Sequence, residues 1–208
     1  MIELLTANTP NGKKISIMLE EIEFKYKLTK ININKDEQFK PEFKKISPFS
    51  KTPVIIDHET KTSLFESGAI LIYLAEKSGK FYNKDRRTII NQWLFGQVAY
   101  VGPMLGQHHQ FHYYNPGKST FGENRYFKIS ERIYRELDER LASSKFLAGD
   151  DYTIADIATF PWIARHEWHD IGLNKYKNLS KWYLEISNRK AVQIGYDLLK
   201  KGELIPKV

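Results

Sequence analysis

Apolar and polar positions change their rhythm near residue 80. Before it, short strand-like runs alternate with helical spacing; after it, only helical spacing remains. Ile2-Glu3-Leu4-Leu5 predicts a short strand. Thr9-Pro10-Asn11-Gly12 is a turn and helix-start cluster, followed by Ile15, Ile17, Met18, Leu19 and Ile22 at helical spacing. Residues 26–31 alternate and predict a half-buried strand, and Phe39, Phe43 and Ile46 predict a short helix. Pro53-Val54-Ile55-Ile56 reads as a buried strand opened by a proline, where the missing N–H costs no interior ladder bond. Thr62 to Phe65 is a last short strand. A helix then starts at Glu66, with Ile70, Leu71, Leu74 and Ala75 on one face, and ends at Gly79. The order β-α-β-α-β-β-α predicts a compact α/β unit.

Beyond this point helices dominate. Residues 85–112 predict one helix, kinked at Gly102-Pro103, and Asn115-Pro116-Gly117 ends it. Residues 120–142 form a second. Thr153-Ile154-Ala155-Asp156 has the form of a capping box, with Thr153 as N-cap and Asp156 reaching back. It opens an apolar helix from Ile157 to Trp168, and two shorter helices near 178–188 and 190–201 close the chain. The predicted organisation is an α/β domain over 1–80 and an all-helical domain over 85–208.

Composition narrows the function. With 208 residues and 41% hydrophobic content there is ample core material. No run approaches the ~18 apolar residues of a spanning helix. The opening MIELLTANTP has an early acid and no basic region, so a cytoplasmic location is expected. There is no cysteine, which excludes disulfides, Cys-based metal sites and a Cys nucleophile. Any thiol chemistry must therefore use a sulfur that arrives on a ligand. The net charge of +7 raises the question of nucleic acid, but residues 1–80 hold 13 Lys and no Arg against 11 acids. Runs such as Lys13-Lys14 sit among acids and apolar residues and read as solvated surface, so neither nucleic acid nor membrane is an expected partner. His108 with His112, and His166 with His169, are the possible metal pairs. No third ligand accompanies either, and no metal is expected.

A βαβ-α-ββα first half, a proline opening its third strand, Glu66-Ser67 at its last helix and an all-helical second half together resemble the glutathione transferase family. The likeness is nearest to the bacterial Nu-class and yeast nitrogen-regulator-like branch. It is carried by Thr9-Pro10-Asn11-Gly12-Lys13-Lys14, residues 38–43, Ile46-Ser47-Pro48, Thr52-Pro53, residues 64–70 and residues 102–107. The resemblance implies a thioredoxin-like domain that binds glutathione, a helical bundle that lines the pocket for the second substrate, and a homodimer. It also implies an enzyme, a glutathione-dependent thiol-disulfide oxidoreductase with glutathione as co-substrate and no metal. Conjugation or peroxide reduction on the same site is the alternative, as is a catalytically weak binding or regulatory protein.

The same resemblance distributes roles. Glu66 and Ser67 would hold the γ-glutamyl head, although either residue also serves as a plain helix cap. Thr52-Pro53 would form a cis turn that offers the Thr52 backbone to the cysteinyl part. Gln38 and Lys51 would reach the glycyl end, and Arg125 would reach glutathione from the neighbouring subunit. Residues 107–114 would line the second-substrate pocket. Thr9 and Asn11 would stabilise the thiolate; alternatively they are only turn and cap residues. A free thiol with pKa near 8.5 is about 3% thiolate at pH 7. Lowering that pKa by about two units takes roughly 2.7 kcal/mol. One hydrogen bond to a charged group supplies about 1.5–3 and a helix N-terminus about 0.3–1 kcal/mol, so donors suffice and no general base is needed. Thr153 and Asp156 are assigned to stability alone.

Overall fold

Strand β1 (Ile2–Thr6) is followed by helix α1 (Pro10–Glu21), β2 (Tyr26–Lys30), α2 (Pro41–Ile46), β3 (Val54–Asp57), β4 (Thr62–Phe65) and α3 (Ser67–Ser78). These are the seven elements the apolar rhythm predicts. The structure, a computed structural model, describes residues 1–208. The four strands form one sheet in the order β2-β1-β3-β4, with β1 parallel to β2 and β3 antiparallel to both its neighbours. Val54 and Ile55 are fully buried, as a central strand requires, whereas β2 is an edge strand that buries only part of each side chain. Helix α3 ends at Gly79 in the left-handed conformation (φ 70°), which a residue without Cβ adopts freely.

The chain forms two compact units. One is Met1–Tyr82 with Arg189–Leu204; the other is Asn83–Asn188 with Ile205–Val208. This differs from a division into 1–80 and 85–208, because helix α10 (Lys190–Asp197) packs with the first unit, against α1. Gly195 allows the approach: a Cβ there would lie 2.6 Å from the Ile17 Cα. Arg189 grips Glu21 with two hydrogen bonds of 2.6 and 2.8 Å. Beyond α10, Glu203 accepts from Asn8 Nδ2 and Lys13 Nζ, both at 2.9 Å, and so ties the start of α1 down.

The helical unit contains α4 (Arg87–Gly96), α5 (Gly102–His108), α6 (Thr120–Ala142), α7 (Ile154–Ile163), α8 (His166–His169) and α9 (Lys177–Ser187). The helical run predicted over 85–112 is continuous from Arg87 to Tyr114, with two wide π turns, Gln97–Val101 and His109–Tyr114, on either side of α5. Pro103 falls in the first turn of α5, where its missing N–H is tolerated. The helix foreseen behind the Thr153 cap starts at Ile154, as that cap requires, but stops at Ile163 before the short α8 in place of running to Trp168. Its capping box is present. The buried Asp156 carboxylate accepts from the backbone N–H of Thr153 (3.0 Å) and Leu147 (2.9 Å), from the Thr153 hydroxyl (3.2 Å) and from the Trp182 indole (2.9 Å).

A second buried polar network links α5, α6 and α8. Tyr134 Oη lies 2.6 Å from His169 Nδ1, and His109 Nε2 lies 2.8 Å from His169 Nε2. His108 Nε2 donates to the His169 carbonyl at 2.8 Å. Burial disfavours the charged rings: it pushes His109 down to about 3 and holds His108 and His169 below the usual imidazole range.

Two stability predictions follow from these networks. Asp156→Ala strands the Leu147 N–H and the Trp182 indole in the core, so unfolding in urea should show a loss of about 3 kcal/mol or more. Unfolded histidines take up protons below about pH 6.5 while the buried rings resist, so stability is full above that pH and falls as the pH drops. Thermal melts from about pH 7.5 to about pH 4.5 should show a falling Tm, flattened in part by His109→Gln. A flat profile in the wild-type chain would contradict this account.

Candidate functional site

Sheet register gathers the expected residues at one end of the α/β unit. Leu5 pairs with Val54, Val54 with Phe65, and Thr6 with Lys30. The chain therefore leaves β1 and β2, enters β3 and leaves β4 at the same end. Thr9, Thr52-Pro53 and Glu66-Ser67 follow or precede those strand ends by at most a few residues.

Thr9 caps α1. Its backbone is extended (φ −129°, ψ 160°), its hydroxyl oxygen accepts from Gly12 N–H at 3.1 Å, and its own N–H donates to the Ala7 carbonyl at 2.8 Å. An oxygen engaged in this way by the helix keeps its proton for an outside acceptor. Pro10 occupies the first helical turn, Asn11 follows it half-buried, and Lys13 N–H closes the first turn onto the Thr9 carbonyl at 2.9 Å. Capping and donation to a ligand are thus compatible roles for Thr9.

Glu66 is exposed and has a positive φ (70°), which turns the chain from β4 into α3. Ser67 begins that helix and is buried. Its Oγ accepts from Lys14 Nζ at 3.4 Å. Lys13 and Lys14 are not solvated surface: each is 1% exposed. Burial pushes the Lys14 ammonium down to about 7, with the Glu66 charge partly opposing it. The sequence carries a signal for this, because Lys14 precedes Ile17 and Met18 by three and four positions and shares their buried face.

The Thr52-Pro53 peptide bond is cis, and Pro53 is buried. The approach to it is held by Ser47, which sequence reasoning gave no role. The buried Ser47 hydroxyl donates to the Lys51 carbonyl at 2.8 Å and accepts from Lys51 N–H at 3.1 Å. Lys51 is exposed beside it. Gln38 lies in a single 3-10 turn, Glu37–Phe39; its Nε2 makes a long bond of 3.4 Å to the Ile33 carbonyl, and its buried Oε1 has no partner.

Arg125 belongs to the other unit, exposed on α6. His108 and His112 do share a face, stacked 4.8 Å apart, while His109 turns to His169. No group of three His, Cys, Asp or Glu residues is arranged to hold a metal. Within residues 107–114, His108 and His109 are interior, Tyr113 stacks on Trp168 at 4.1 Å, and Tyr113 and Tyr114 are exposed. No helix is long and apolar enough to cross a membrane.

Comparison with known proteins matches residues 2–76 to the family model "Glutathione S-transferase, N-terminal domain" and residues 124–190 to "Glutathione S-transferase, C-terminal domain". The chain is 44% identical over 207 residues to the disulfide-bond oxidoreductase YfcG of Escherichia coli, covering 96% of this chain and 95% of that one. A glutathione transferase from Burkholderia graminis, solved with two glutathione molecules per subunit, is 36% identical with a TM-score of 0.91, over 97% of this chain and 89% of that one. One from Pseudomonas putida, solved with one glutathione disulfide per subunit, is 37% identical with a TM-score of 0.89, over 97% and 92%. With both family models matched in order and the predicted thioredoxin-like and helical halves in place, the chain belongs to the glutathione transferase family.

Proposed function

We propose that this protein is a glutathione-dependent thiol-disulfide oxidoreductase that binds glutathione at the sheet end and keeps its thiol ionised there. The observation that carries the reading is the Thr9 cap: its oxygen serves the helix, and its proton is left to give. Asn11, in the same first turn, is the second donor. The α-carboxylate of the γ-glutamyl head would take the Ser67 hydroxyl and the start of α3, with Glu66 beside the ammonium. The Thr52 backbone lies beyond the last ladder pair of β3, which leaves it suited to strand-like pairing with the cysteinyl part. At the glycyl end the unpaired Gln38 Oε1 would accept from the ligand's amide N–H, and the exposed Lys51 would meet the terminal carboxylate. Glutathione itself supplies the reactive sulfur, and no metal is required.

In this mechanism the bound thiolate attacks one sulfur of a small disulfide. A new S–S bond forms to glutathione, the old one breaks, and the leaving thiolate takes a proton from water. A second glutathione thiolate then attacks the mixed disulfide, releasing glutathione disulfide and the second thiol. Two glutathione molecules are oxidised for each disulfide reduced. The E. coli relative carries the name of such an activity, and the chain, which has no cysteine, has no sulfur of its own for this exchange.

Homodimer formation and a cytoplasmic location belong to the same reading. Phe95, Tyr100 and Phe121 expose large aromatic surface on the helical unit that carries Arg125, and disulfide reduction by glutathione fits a reducing compartment.

Thr9→Ala should lower kcat/KM for disulfide reduction by about 10–100-fold and move the pH–rate profile to higher pH, with Thr9→Ser retaining most of the activity. An unchanged profile in Thr9→Ala would overturn the thiolate role. Arg125→Ala should raise KM for glutathione about tenfold, while sedimentation still reports a dimer. A wild-type chain that sediments as a monomer removes the arginine from the site.

A further inference from the structure

Lys14 stands directly behind the proposed carboxylate subsite. Its Nζ is buried and donates to Ser67 Oγ, the atom that faces the ligand in the reading above. A hydroxyl has one proton and two lone pairs. When Lys14 is an ammonium it occupies a Ser67 lone pair, and the Ser67 proton is available for an incoming anion. When Lys14 is a neutral amine it accepts from Ser67, the proton turns inward, and Ser67 presents a lone pair to the carboxylate. The charge state of one buried side chain thus decides whether Ser67 attracts or repels the ligand.

The neighbouring Lys13 shows how differently the fold treats two consecutive buried lysines. Lys13 is neutralised by Glu203 at 2.9 Å, donates to the Tyr196 carbonyl at 2.7 Å and lies 3.4 Å over the Tyr196 ring. Its charge is committed to holding α10 and the C-terminal segment. Lys14 instead points toward α3, where a carboxylate would bring a negative charge.

We propose that Lys14 is a positioning residue of this subsite: its buried ammonium orients Ser67 as a donor to the α-carboxylate of a γ-glutamyl group and supplies the positive charge behind it, so that ligand binding takes up a proton at Lys14. The inference rests on the glutathione reading and adds to it a residue that never touches the reacting sulfur. Glu66 is the acid that couples to Lys14. Other charged groups on the packed elements have their own partners: Lys13 with Glu203, Glu21 with Arg189, and Glu3 with Thr29, Lys27 and His58. Lys77 pairs with Asp57 and Glu59, and Asp197 accepts from the backbone N–H groups of Gly202 and Glu203. The unliganded lysine is held at about 7 by burial. A bound carboxylate favours the ammonium, so affinity is highest at low pH, where the lysine is charged with or without ligand. It falls as the pH rises through the unliganded value and levels off above the liganded one.

S-hexylglutathione tests this without interference from a titrating thiol. Calorimetry of the full-length protein in two buffers of different ionisation enthalpy should show net proton uptake on binding near about pH 7.5, and affinity should fall roughly tenfold between about pH 6.5 and about 8.5. Lys14→Met should bind about tenfold more weakly at the lower pH and take up no proton at this site. Lys14→Arg, which stays charged and covers the case in which the methionine variant fails to fold, should bind at the wild-type low-pH strength and lack the wild-type fall. Titration of the ligand's own ammonium is common to all three proteins and cancels in the comparison. Wild-type binding with no proton uptake, or an arginine variant that keeps the wild-type pH profile, overturns the role of Lys14 alone. Absence of any binding to the wild-type chain overturns the glutathione reading and this inference together.

Discussion

The α/β unit depends on how closely the first turn of α1 sits on the end of β1. A Cβ at Gly12 would lie 2.3 Å from the Ala7 carbonyl oxygen and 2.5 Å from Thr6 Oγ1, so only glycine permits the contact. With nothing between helix and strand, the chain passes from β1 to α1 through Ala7, Asn8 and Thr9. The helix start, where donors are unsatisfied by the helix itself, then opens onto the sheet end. The same closeness lets Leu199, 3.3 Å from that notional Cβ, and Glu203 press on the turn from the C-terminal segment. The placement of the proposed donors is therefore a consequence of packing: a larger side chain at residue 12 would push the first turn of α1, with Thr9 and Asn11, off the end of β1.

Buried charge is the second organising constraint, and it divides between two tasks. Charged and carboxyl groups that hold the fold have fixed partners: Asp57 lies between Tyr73 and Lys77, Lys13 against Glu203, and the Asp156 carboxyl, which burial pushes up to about 6, is held by four hydrogen-bond donations. Removing one partner from such a set leaves an uncompensated charge in a low-dielectric interior, which is why these residues read as structural. Lys14 differs in that burial displaces its protonation into the neutral range, the property on which its proposed response to a ligand charge rests. The histidine network of the helical unit resolves the same problem by remaining uncharged. Its rings exchange hydrogen bonds with one another, with Tyr134 and with a backbone carbonyl, and they need no counter-ion.

The elements of the fold were legible because their signals are local. The alternation of residues 26–31, the proline opening β3 and the Thr153–Asp156 spacing each encode a backbone state within a few residues, and the corresponding strands and capping box are present; the cis state of Thr52-Pro53 was expected from the family resemblance alone. What was not legible depends on distant partners. The wide turns on either side of α5 were not foreseen; Trp162, 60 residues further along the chain, packs close against Gly102 between them. Helix α10 joins the first unit because Gly195 fits the backbone of α1. Lys13 and Lys14 read as solvated from their charge, although their position on the Ile17–Met18 face already pointed inward. Ser47 escaped notice because a serine that clamps a loop by donating to and accepting from one residue has no sequence signature beyond its place before Pro48.

The site and the core answer to one geometric condition, the register of β3. This strand lies antiparallel to β1 and to β4, with Val54 opposite both Leu5 and Phe65. Val54 and Ile55 point to opposite faces of the sheet and both are fully buried, so a slip of one residue would exchange their faces and disrupt the packing on both sides at once. The same slip would carry Thr52 and Pro53 about 3.4 Å along the sheet relative to Thr9 and Glu66. That displacement exceeds the tolerance of a hydrogen bond several times over. Hydrophobic burial, which is strong and non-directional, thereby enforces an alignment that the site's own weak and directional bonds are too few to impose. Segments separated by more than fifty residues of sequence are held at one end of the sheet because moving any of them out of line would first require unmaking the core.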